Sequence, residues 1–243
     1  WLSLSLSIPE HDEQWLHEFS LGIQQMSEYY SVQLIGGDTV KGPLSITITA
    51  HGFIPKDQAL TRSRAKPGDL LYVSGSLGDA ALGLDICKGL VHAHPSHKNF
   101  ALDRLNNPSP RVLVGTMLRR IASSCIDVSD GMLSDLKHIL YASQCGALVH
   151  VDKLPLSHAM TQTVSAEQAY QYALNGGDDY ELLFTVPESL KGQLELALVN
   201  ANVSATCIGQ IAGLNEKLRL TLDGEAYTTE INGYDHFEEE CSE

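Results

Sequence analysis

Hydrophobic and polar positions alternate at the start of the chain and then change to a helical spacing. From Leu2 to Ile8 every second residue is apolar, which predicts a half-buried strand. Beyond Pro9 the large apolar residues recur every three or four positions, as on one face of a helix. They are Trp15, Phe19, Ile23, Met26 and Tyr30. Residues 32–35 and 46–50 predict two more strands, so the pattern begins β-α-β-β.

A polar stretch, residues 55–69, separates this beginning from the rest, and we place a domain boundary there. The predicted domains are residues 1–58 and 59–243. In the second domain, short apolar runs predict strands at residues 70–73, 125–128, 147–151, 182–186, 205–208 and 218–222. Helices are predicted at residues 80–86, from Ser109-Pro110 to about residue 122, and at residues 132–140, 167–174 and 190–199. Residues 92–107 are predicted as a loop. The fold class is α+β with mixed or antiparallel sheets.

Charge and composition exclude several classes of protein. The 243 residues carry a formal charge of −14, from 30 acids against 16 bases, which argues against nucleic acid as a partner. No apolar run approaches the roughly 20 residues of a membrane span, so no membrane partner is predicted. The five cysteines lack CxxC spacing, which favours reduced thiols in the cytoplasm. The chain begins at Trp1 and not at Met, so we expect that upstream sequence is missing.

Three acidic clusters lie where predicted strands begin or end, each beside glycine or serine. They are Gly36-Gly37-Asp38-Thr39, Asp127-Val128-Ser129-Asp130-Gly131 and Gly176-Gly177-Asp178-Asp179-Tyr180-Glu181. Short carboxylates on tight turns supply the oxygen ligands that Mg²⁺ requires. In the third cluster, three acids would repel one another unless a cation or a polar ligand lay among them. The clusters predict phosphate chemistry assisted by a metal.

Each of these features also has a simpler structural interpretation. Asp38 could be a solvated residue in a hairpin turn, and Ser129 or Asp130 could cap the next helix. Arg62 could grip phosphate oxygens or belong to a solvated linker. Gly75-Ser76-Leu77-Gly78-Asp79 lacks the third glycine of a dinucleotide loop, which favours a packing role. His92, His94 and His97 are interpreted as part of a polar loop and not as a metal site.

Five stretches together resemble thiamine-monophosphate kinases, in that family's order and spacing. They are residues 34–39, 60–69, 126–136, 176–184 and 233–237. The resemblance implies the fold of the aminoimidazole ribonucleotide synthetase-like superfamily, in which two α+β domains usually dimerise through the N-terminal one. Residues 1–58 would then be the remainder of a truncated ATP- and Mg²⁺-binding, dimerising domain, and residues 59–243 the C-terminal α+β domain. A cytoplasmic homodimer is the corresponding expectation.

The resemblance implies ATP-dependent phosphorylation of thiamine monophosphate to thiamine diphosphate. The residues implied to contact ATP are Gly37, Asp38, Arg62 and Ser129. The residues implied to hold Mg²⁺ are Asp38, Asp127 and Asp130. Those implied to bind thiamine monophosphate are Asp178 and Tyr234, the latter by stacking, although Tyr234 could instead anchor the C terminus. No catalytic acid or base is assigned, because positioning and charge stabilisation carry such a transfer.

Two departures from the family pattern qualify this expectation. The family often has Glu where this chain has Asp178, which keeps the acceptor but shortens its reach. The family also carries further metal and phosphate ligands upstream, in a Gly-Asp-Asp loop and a Ser-Thr-Asp strand end that these residues lack. We therefore expect the 243 residues alone to be inactive or severely impaired.

Two alternatives remain open at this point. One is another ATP-dependent enzyme of the superfamily, of the selenophosphate synthetase or hydrogenase-maturation type. The other is a non-catalytic homologue that binds nucleotide or thiamine phosphate. Intact Asp38, Asp127, Asp130 and Tyr234 argue against the second alternative.

Overall fold

The chain divides after Asp57 into two units, Trp1–Asp57 and Gln58–Glu243. The computed structural model describes residues 1–230. Tyr234 therefore lies outside the described residues. None of the helices in the described part of the chain is both long and apolar enough to cross a bilayer.

The first unit is a three-stranded sheet with one helix. Strand β1 (Leu2–Ile8) is central, β2 (Leu34–Lys41) pairs with it in parallel, and β3 (Ser45–Ala50) pairs with it antiparallel. Helix α1 (Glu13–Tyr29) connects β1 to β2, and Asp12 caps it by accepting a hydrogen bond from the Trp15 amide at 3.0 Å. The predicted β-α-β-β order is confirmed.

Alternation along the strands gives this sheet one apolar and one polar face. Leu4 and Leu6 line a cavity of about 380 Å³ against α1. The intervening Ser5 lies in register with Asp38 of β2 and Thr47 of β3. Because successive side chains of a strand point to opposite faces, these three polar residues share the face turned away from α1.

The prediction that residues 32–35 form a short strand closed by Gly36-Gly37 is wrong. Strand β2 runs from Leu34 to Lys41 and contains both glycines and Asp38. A Cβ on Gly37 would lie 1.9 Å from the Leu4 carbonyl oxygen. The glycine therefore permits close pairing with β1, which is the usual meaning of glycine inside a strand, and not a turn.

The second unit is built on a seven-stranded mixed sheet in the order β10-β9-β6-β8-β4-β7-β5, in which β6 and β9 are parallel and the other pairs are antiparallel. Its strands are β4 (Leu70–Ser74), β5 (Ser124–Asp127), β6 (Gly146–His150), β7 (Leu182–Val186), β8 (Ala205–Ala212), β9 (Leu218–Leu222) and β10 (Glu225–Tyr227). Its helices are α2 (Asp79–Cys87), α3 (Pro95–Asn106), α4 (Val112–Leu118), α5 (Met132–Ser143), α6 (His158–Thr163), α7 (Ala166–Asn175) and α8 (Lys191–Ala201). The structure thus confirms the α+β fold class with mixed sheets.

Helices cover both faces of this sheet. On one face, Val73 and Leu183 pack in the same cluster as Leu136 and Ile139 of α5. On the other face, the alternate positions Tyr72 and Phe184 stack with ring centroids 5.7 Å apart, in a cluster that includes residues of α4 and α8. The strands β4 and β7 are buried on both sides, which explains their continuous apolar runs in the sequence.

The predicted loop at residues 92–107 is wrong, because most of it forms helix α3. His94 caps the helix by accepting a hydrogen bond from the Ser96 amide, and Pro95 occupies the first turn. Ala101 is the one buried residue of α3, and a Cβ on Gly83 of α2 would lie 2.4 Å from its carbonyl oxygen. The helix is held by close backbone packing, so it lacks an apolar stripe that the sequence could reveal.

Helix α4 is also shorter than predicted. It begins at Val112 and ends at Leu118, whereas the prediction ran from Ser109-Pro110 to about residue 122. Arg111 occupies the N-cap position without a side-chain cap, and its guanidinium instead contacts Glu181. The short elements α6 and β10 were not predicted from the sequence.

Candidate functional site

The second acidic cluster forms a tight connection between β5 and α5. Strand β5 ends at Asp127, and α5 begins at Met132 with Gly131 at its N-cap. The carboxylate of Asp135 accepts hydrogen bonds from the amides of Ser129 at 2.9 Å and Asp130 at 3.2 Å. Asp135 is 2% exposed, so the loop backbone is fixed by hydrogen bonds to a buried carboxylate.

The interpretation of Ser129 or Asp130 as a helix cap is wrong, because neither side chain caps α5. Asp135 binds the loop amides instead. Burial raises the pKa of Asp135, the two amide hydrogen bonds oppose that shift, and the charges of Asp130 and Asp127 add to it. The hydroxyl of Ser129 and the carboxylate of Asp130 make no hydrogen bond within residues 1–230. Both are therefore available to a ligand.

The third acidic cluster lies directly beside the second. The Asp178 amide donates to the Ser129 carbonyl at 3.0 Å, and the Tyr180 amide donates to the Val128 carbonyl at 2.8 Å. A Cβ on Gly177 would lie 2.4 Å from the Ser129 carbonyl oxygen, so glycine is required for this approach. Two clusters that are about fifty residues apart in sequence thus form one surface.

The acids of the third cluster point in different directions. Asp179 is 1% exposed and accepts a hydrogen bond from the Gly78 amide at 2.6 Å, at the start of α2. Glu181 is fully buried between Arg104, Arg111 and the Ser74 hydroxyl. The expectation that a ligand must neutralise all three acids is therefore wrong, since the protein itself satisfies two of them. Only Asp178 is exposed beside the second cluster.

The negative charges of three predicted carboxylates act on the hydroxyl group of Tyr180. Its hydroxyl donates a hydrogen bond to Asp178 Oδ1 at 3.1 Å. Burial raises the pKa of this tyrosine, the hydrogen bond and charge of Asp178 add to the shift, and the charges of Asp127 and Asp130 contribute further. None of the three aspartates forms an ion pair within residues 1–230. The result is a local negative charge that no ion pair within residues 1–230 neutralises.

This arrangement fits a hard divalent cation that brings most of its own ligands. Within residues 1–230 no three His, Cys, Asp or Glu side chains are placed to enclose a metal on their own. Mg²⁺ commonly uses one or two carboxylates and completes its shell with water and substrate phosphates. The exposed carboxylates of Asp127 and Asp130 are suitable donors of that kind.

The remaining predicted site residues occupy other places. Gly37 and Asp38 lie on β2 of the first unit, where the Asp38 carboxylate accepts a hydrogen bond from the Thr39 amide at 2.9 Å. Arg62 lies in the second unit, where its carbonyl accepts a hydrogen bond from Ser143 at the end of α5. Its exposed guanidinium makes no hydrogen bond or ion pair within residues 1–230. The common pocket for all of these residues stays a prediction.

The residues that support the site from within were not predicted from the sequence. Asp135 could have been found as an acid in the first turn of a helix that follows Asp-Gly. Arg104 was not recognised because its segment was predicted as a loop. Arg111 was not recognised because it was placed inside a predicted helix. The packing interpretation of Gly75 and Gly78 is confirmed, since a Cβ on either would lie under 3.0 Å from Glu181 or Tyr172.

Similarity to known proteins extends over nearly the whole chain. Residues 1–54 match the family described as AIR synthase related protein, N-terminal domain. The thiamine-monophosphate kinase of Escherichia coli K12 is 49% identical over 238 residues, which cover 98% of this chain and 73% of that protein. The resemblance inferred from the five motif stretches is thereby confirmed.

Two solved structures are similar in fold. The crystal structure of thiamine-monophosphate kinase from Stenotrophomonas maltophilia K279a aligns with a TM-score of 0.84 and 40% identity, over 93% of this chain and 72% of that one. A structure described as AaThiL complexed with AMPPCP and TMP aligns with a TM-score of 0.78 and 26% identity, over 98% of this chain and 73% of that one. The superfamily fold is confirmed by these alignments.

Proposed function

This chain belongs to the thiamine-monophosphate kinase family, and we propose that it transfers the γ-phosphate of ATP to thiamine monophosphate, forming thiamine diphosphate. The observation that carries the proposal is 49% identity over 98% of the chain to a protein named for this activity. The acidic surface of Asp127, Asp130 and Asp178 supports it independently, because none of these three oxygen donors forms an ion pair within residues 1–230.

This phosphoryl transfer requires correct positioning of the two substrates and does not require a strong base. The second pKa of a phosphate monoester is about 6, so the attacking oxygen of thiamine monophosphate is already anionic near neutral pH. Two polyanions must nevertheless approach each other in line, and charge neutralisation is the main requirement. Mg²⁺ would supply that neutralisation, held by Asp127 and Asp130 in the second unit and by Asp38 in the first.

We assign the other roles by matched position in the family. Gly37, Asp38, Arg62 and Ser129 would contact ATP, with Gly37 and Ser129 approaching through backbone and hydroxyl. Asp178 and Tyr234 would bind thiamine monophosphate. The hydrogen bond from Tyr180 to Asp178 holds that carboxylate in a fixed direction, which supports its role as an acceptor for the substrate.

Asp130→Asn tests the metal assignment. The substitution keeps the size of the side chain but removes a charge, so we expect Mg²⁺-dependent ATP binding to weaken at least ~10-fold, equivalent to about 1.4 kcal/mol. In a protein that also carries the upstream ligands, thiamine monophosphate-dependent formation of thiamine diphosphate is expected to fall at least as much. Calorimetry with ATP, with and without Mg²⁺, and chromatography of the product measure the two effects.

Asp223→Asn is the matched control. Asp223 lies in the turn between β9 and β10 with φ +52°, a conformation that asparagine tolerates, and β9 is five strands from β5 in the sheet. Wild-type binding and turnover are expected for this variant. The metal assignment is wrong if the Asp130 and Asp223 variants behave alike.

A panel of phosphate acceptors distinguishes the proposed activity from other ATP-dependent reactions of the superfamily. ADP formation that depends on thiamine monophosphate, and on no other acceptor tested, supports the kinase. Binding of nucleotide or thiamine phosphate without turnover, in a protein with all upstream ligands, supports the non-catalytic alternative.

We further propose a homodimer in the cytoplasm, where ATP and Mg²⁺ are both abundant. Support for the dimer comes from the first unit, whose strands β2 and β3 are exposed along their whole length and carry Ile35, Val40, Ile46 and Ile48. Ile46 and Ile48 pair with Leu6 and Leu4 and share one face of the sheet, whereas Val40 pairs with Ser7 on the other face. Exposed apolar residues that share a face commonly mark an interface, so Ile46 and Ile48 carry this support. Light scattering over a range of protein concentrations measures the mass, and a monomer at every concentration contradicts the proposal.

A further inference from the structure

A cavity of about 430 Å³ lies in the second unit where β4 ends and β8 begins. It is separate from the exposed acidic surface, since none of Asp127, Asp130 and Asp178 lines it. The polar and aromatic residues in its wall are Ser76, Phe100, Arg104, Arg111, Ser204 and Thr206. The charged side chains of this wall are both arginines.

The two arginines are held in place by a single buried acid. Arg104 Nη2 donates to Glu181 Oε1 at 3.0 Å, and Arg111 Nε donates to Glu181 Oε2 at 2.6 Å. Their side chains are 13% and 28% exposed, whereas Glu181 is fully buried. Two guanidinium groups thus share one carboxylate, and both also face the cavity.

Several hydrogen-bond donors at the cavity are not used by the protein. Both hydrogen bonds of Arg104 come from Nη2, and its Nε is buried without a partner within residues 1–230. A guanidinium has five N–H donors, so the N–H groups of Arg104 Nη1, which also make no hydrogen bond within residues 1–230, can bind a further acceptor. The hydroxyls of Ser204 and Thr206 likewise make no hydrogen bond in the described part of the chain.

The other nearby acids are already occupied by protein donors. Asp79 accepts hydrogen bonds from the hydroxyls of Ser76 and Ser157, each at 2.5 Å. Asp179 accepts hydrogen bonds from the Gly78 and Ala80 amides. Both acids are buried and neither lines the cavity, so they leave its wall cationic.

We propose that this cavity binds a phosphate group, either free or as the monoester of a small molecule. Arg104 would donate to its oxygens through N–H groups that Glu181 does not use, and the guanidinium of Arg111, which stays bound to Glu181, would add its positive charge beside them. Thr206 and Ser204 would donate hydroxyl hydrogen bonds from the opposite strand. Phe100, which is 41% exposed, would contact a flat ring if the ligand carries one.

The test measures binding of inorganic phosphate in the presence of EDTA, which removes divalent cations. Without a divalent cation the exposed aspartates repel phosphate, so this experiment does not depend on the proposed kinase site. We expect saturable binding by calorimetry. Thr206→Glu places a carboxylate in the cavity beside the arginines, and we expect it to weaken phosphate binding at least ~10-fold.

Thr116→Glu is the control, because Thr116 is an exposed residue of α4 and receives the same change of charge. Its phosphate binding is expected to match the wild type. Ser204→Asp repeats the test at an exposed position if Thr206→Glu fails to fold. The proposal is overturned by absence of saturable binding, or by equal binding in the wild type and the cavity variants. Equal weakening of phosphate binding in the Thr116→Glu variant also overturns the proposal, because the added negative charge then acts at long range and not within the cavity.

Phenyl phosphate distinguishes the two sources of the phosphate group. Binding several-fold tighter than inorganic phosphate, with the difference lost in Phe100→Ala, identifies a monoester that carries a ring. Equal binding of the two probes identifies free phosphate as the ligand. Either result requires the same arginine-lined cavity.

Discussion

Glu181 is a fully buried carboxylate surrounded by two arginines and a serine hydroxyl. The Ser74 hydroxyl donates to its Oε2 at 2.6 Å, and a Cβ on Gly75 would lie 2.1 Å from its Oε1. Glycine at position 75, with φ +58°, therefore leaves the space that the carboxylate occupies. This residue fixes the start of β7, and with it the loop that carries Asp178.

Glu181→Gln removes the negative partner of two partly buried arginines. Breaking a buried ion pair in this way costs about 3 kcal/mol, because the remaining charges are left uncompensated. We expect a loss of that size in the free energy of unfolding, measured in urea by circular dichroism. Glu216→Gln is the control, since its ion pair with Arg219 is half exposed, and a change below about 1 kcal/mol is expected. Equal losses in both variants contradict the structural role given to Glu181.

Asp179 gives stability a defined pH dependence. Burial raises its pKa to about 7, opposed by the amide hydrogen bond from Gly78, whereas the unfolded carboxyl titrates near its ordinary pKa of 3.8. Between these values the folded state binds more protons than the unfolded state, so this group's contribution falls as pH rises and is constant above pH 7. The slope is at most about 1.4 kcal/mol per pH unit.

The difference in unfolding free energy between wild type and Asp179→Asn isolates that contribution. We expect the wild type to lose stability relative to the variant from about pH 4 to pH 7, and then to stay parallel with it. Urea unfolding at unit steps of pH measures the difference. A constant difference across this range contradicts the raised pKa.

Strand β2 depends on one of its two adjacent glycines far more than on the other. A Cβ on Gly37 would overlap the backbone of Leu4, whereas one on Gly36 would meet nothing within 4 Å. Gly37→Ala is expected to destabilise the first unit by about 2 kcal/mol, because the β1–β2 pair must separate. Gly36→Ala is expected to change it by less than about 1 kcal/mol.

Tryptophan fluorescence measures this comparison cleanly. The chain has two tryptophans, Trp1 and Trp15, and both belong to the first unit. Trp1 stacks on His51 and Trp15 on Phe19, so loss of this packing changes their emission. Similar unfolding midpoints for the two alanine variants contradict the assigned role of Gly37.

Elements with a strong periodic pattern were predictable, and those held by backbone packing were not. Strands β7 and β9 have the predicted bounds, because β7 is a nearly continuous apolar run and β9 alternates apolar residues around the buried Leu220. Helix α3 was missed because Ala101 is its one buried residue. Arg104, which lies on this helix and contacts Glu181, was missed for the same reason. The buried residues beneath the site were therefore less predictable than its exposed carboxylates.

At the scale of the whole molecule, the second unit contains the exposed acidic surface to which we assign the cation. Asp127, Asp130 and Asp178 were predicted as site residues from the sequence, and the structure joins their two loops through the hydrogen bonds of the Asp178 and Tyr180 amides to Ser129 and Val128. The family resemblance singled out Asp178, but the acidic pattern alone could not separate it from Asp179 and Glu181, because the partners of those two acids come from α2, α3 and the start of α4. Long-range partners of this kind leave no local pattern.

Whether Asp38 of the first unit and Asp130 of the second serve the same nucleotide is decided by a double-mutant cycle. Residues that act as one unit give effects that do not add. If Asp38→Asn and Asp130→Asn each weaken Mg²⁺-dependent ATP binding, the double variant is expected to lose less than the sum of the two, by at least about 1 kcal/mol. Calorimetry on the four proteins measures this coupling. Additive losses would mean that the two carboxylates act independently, and the shared metal assignment of Asp38 would be abandoned.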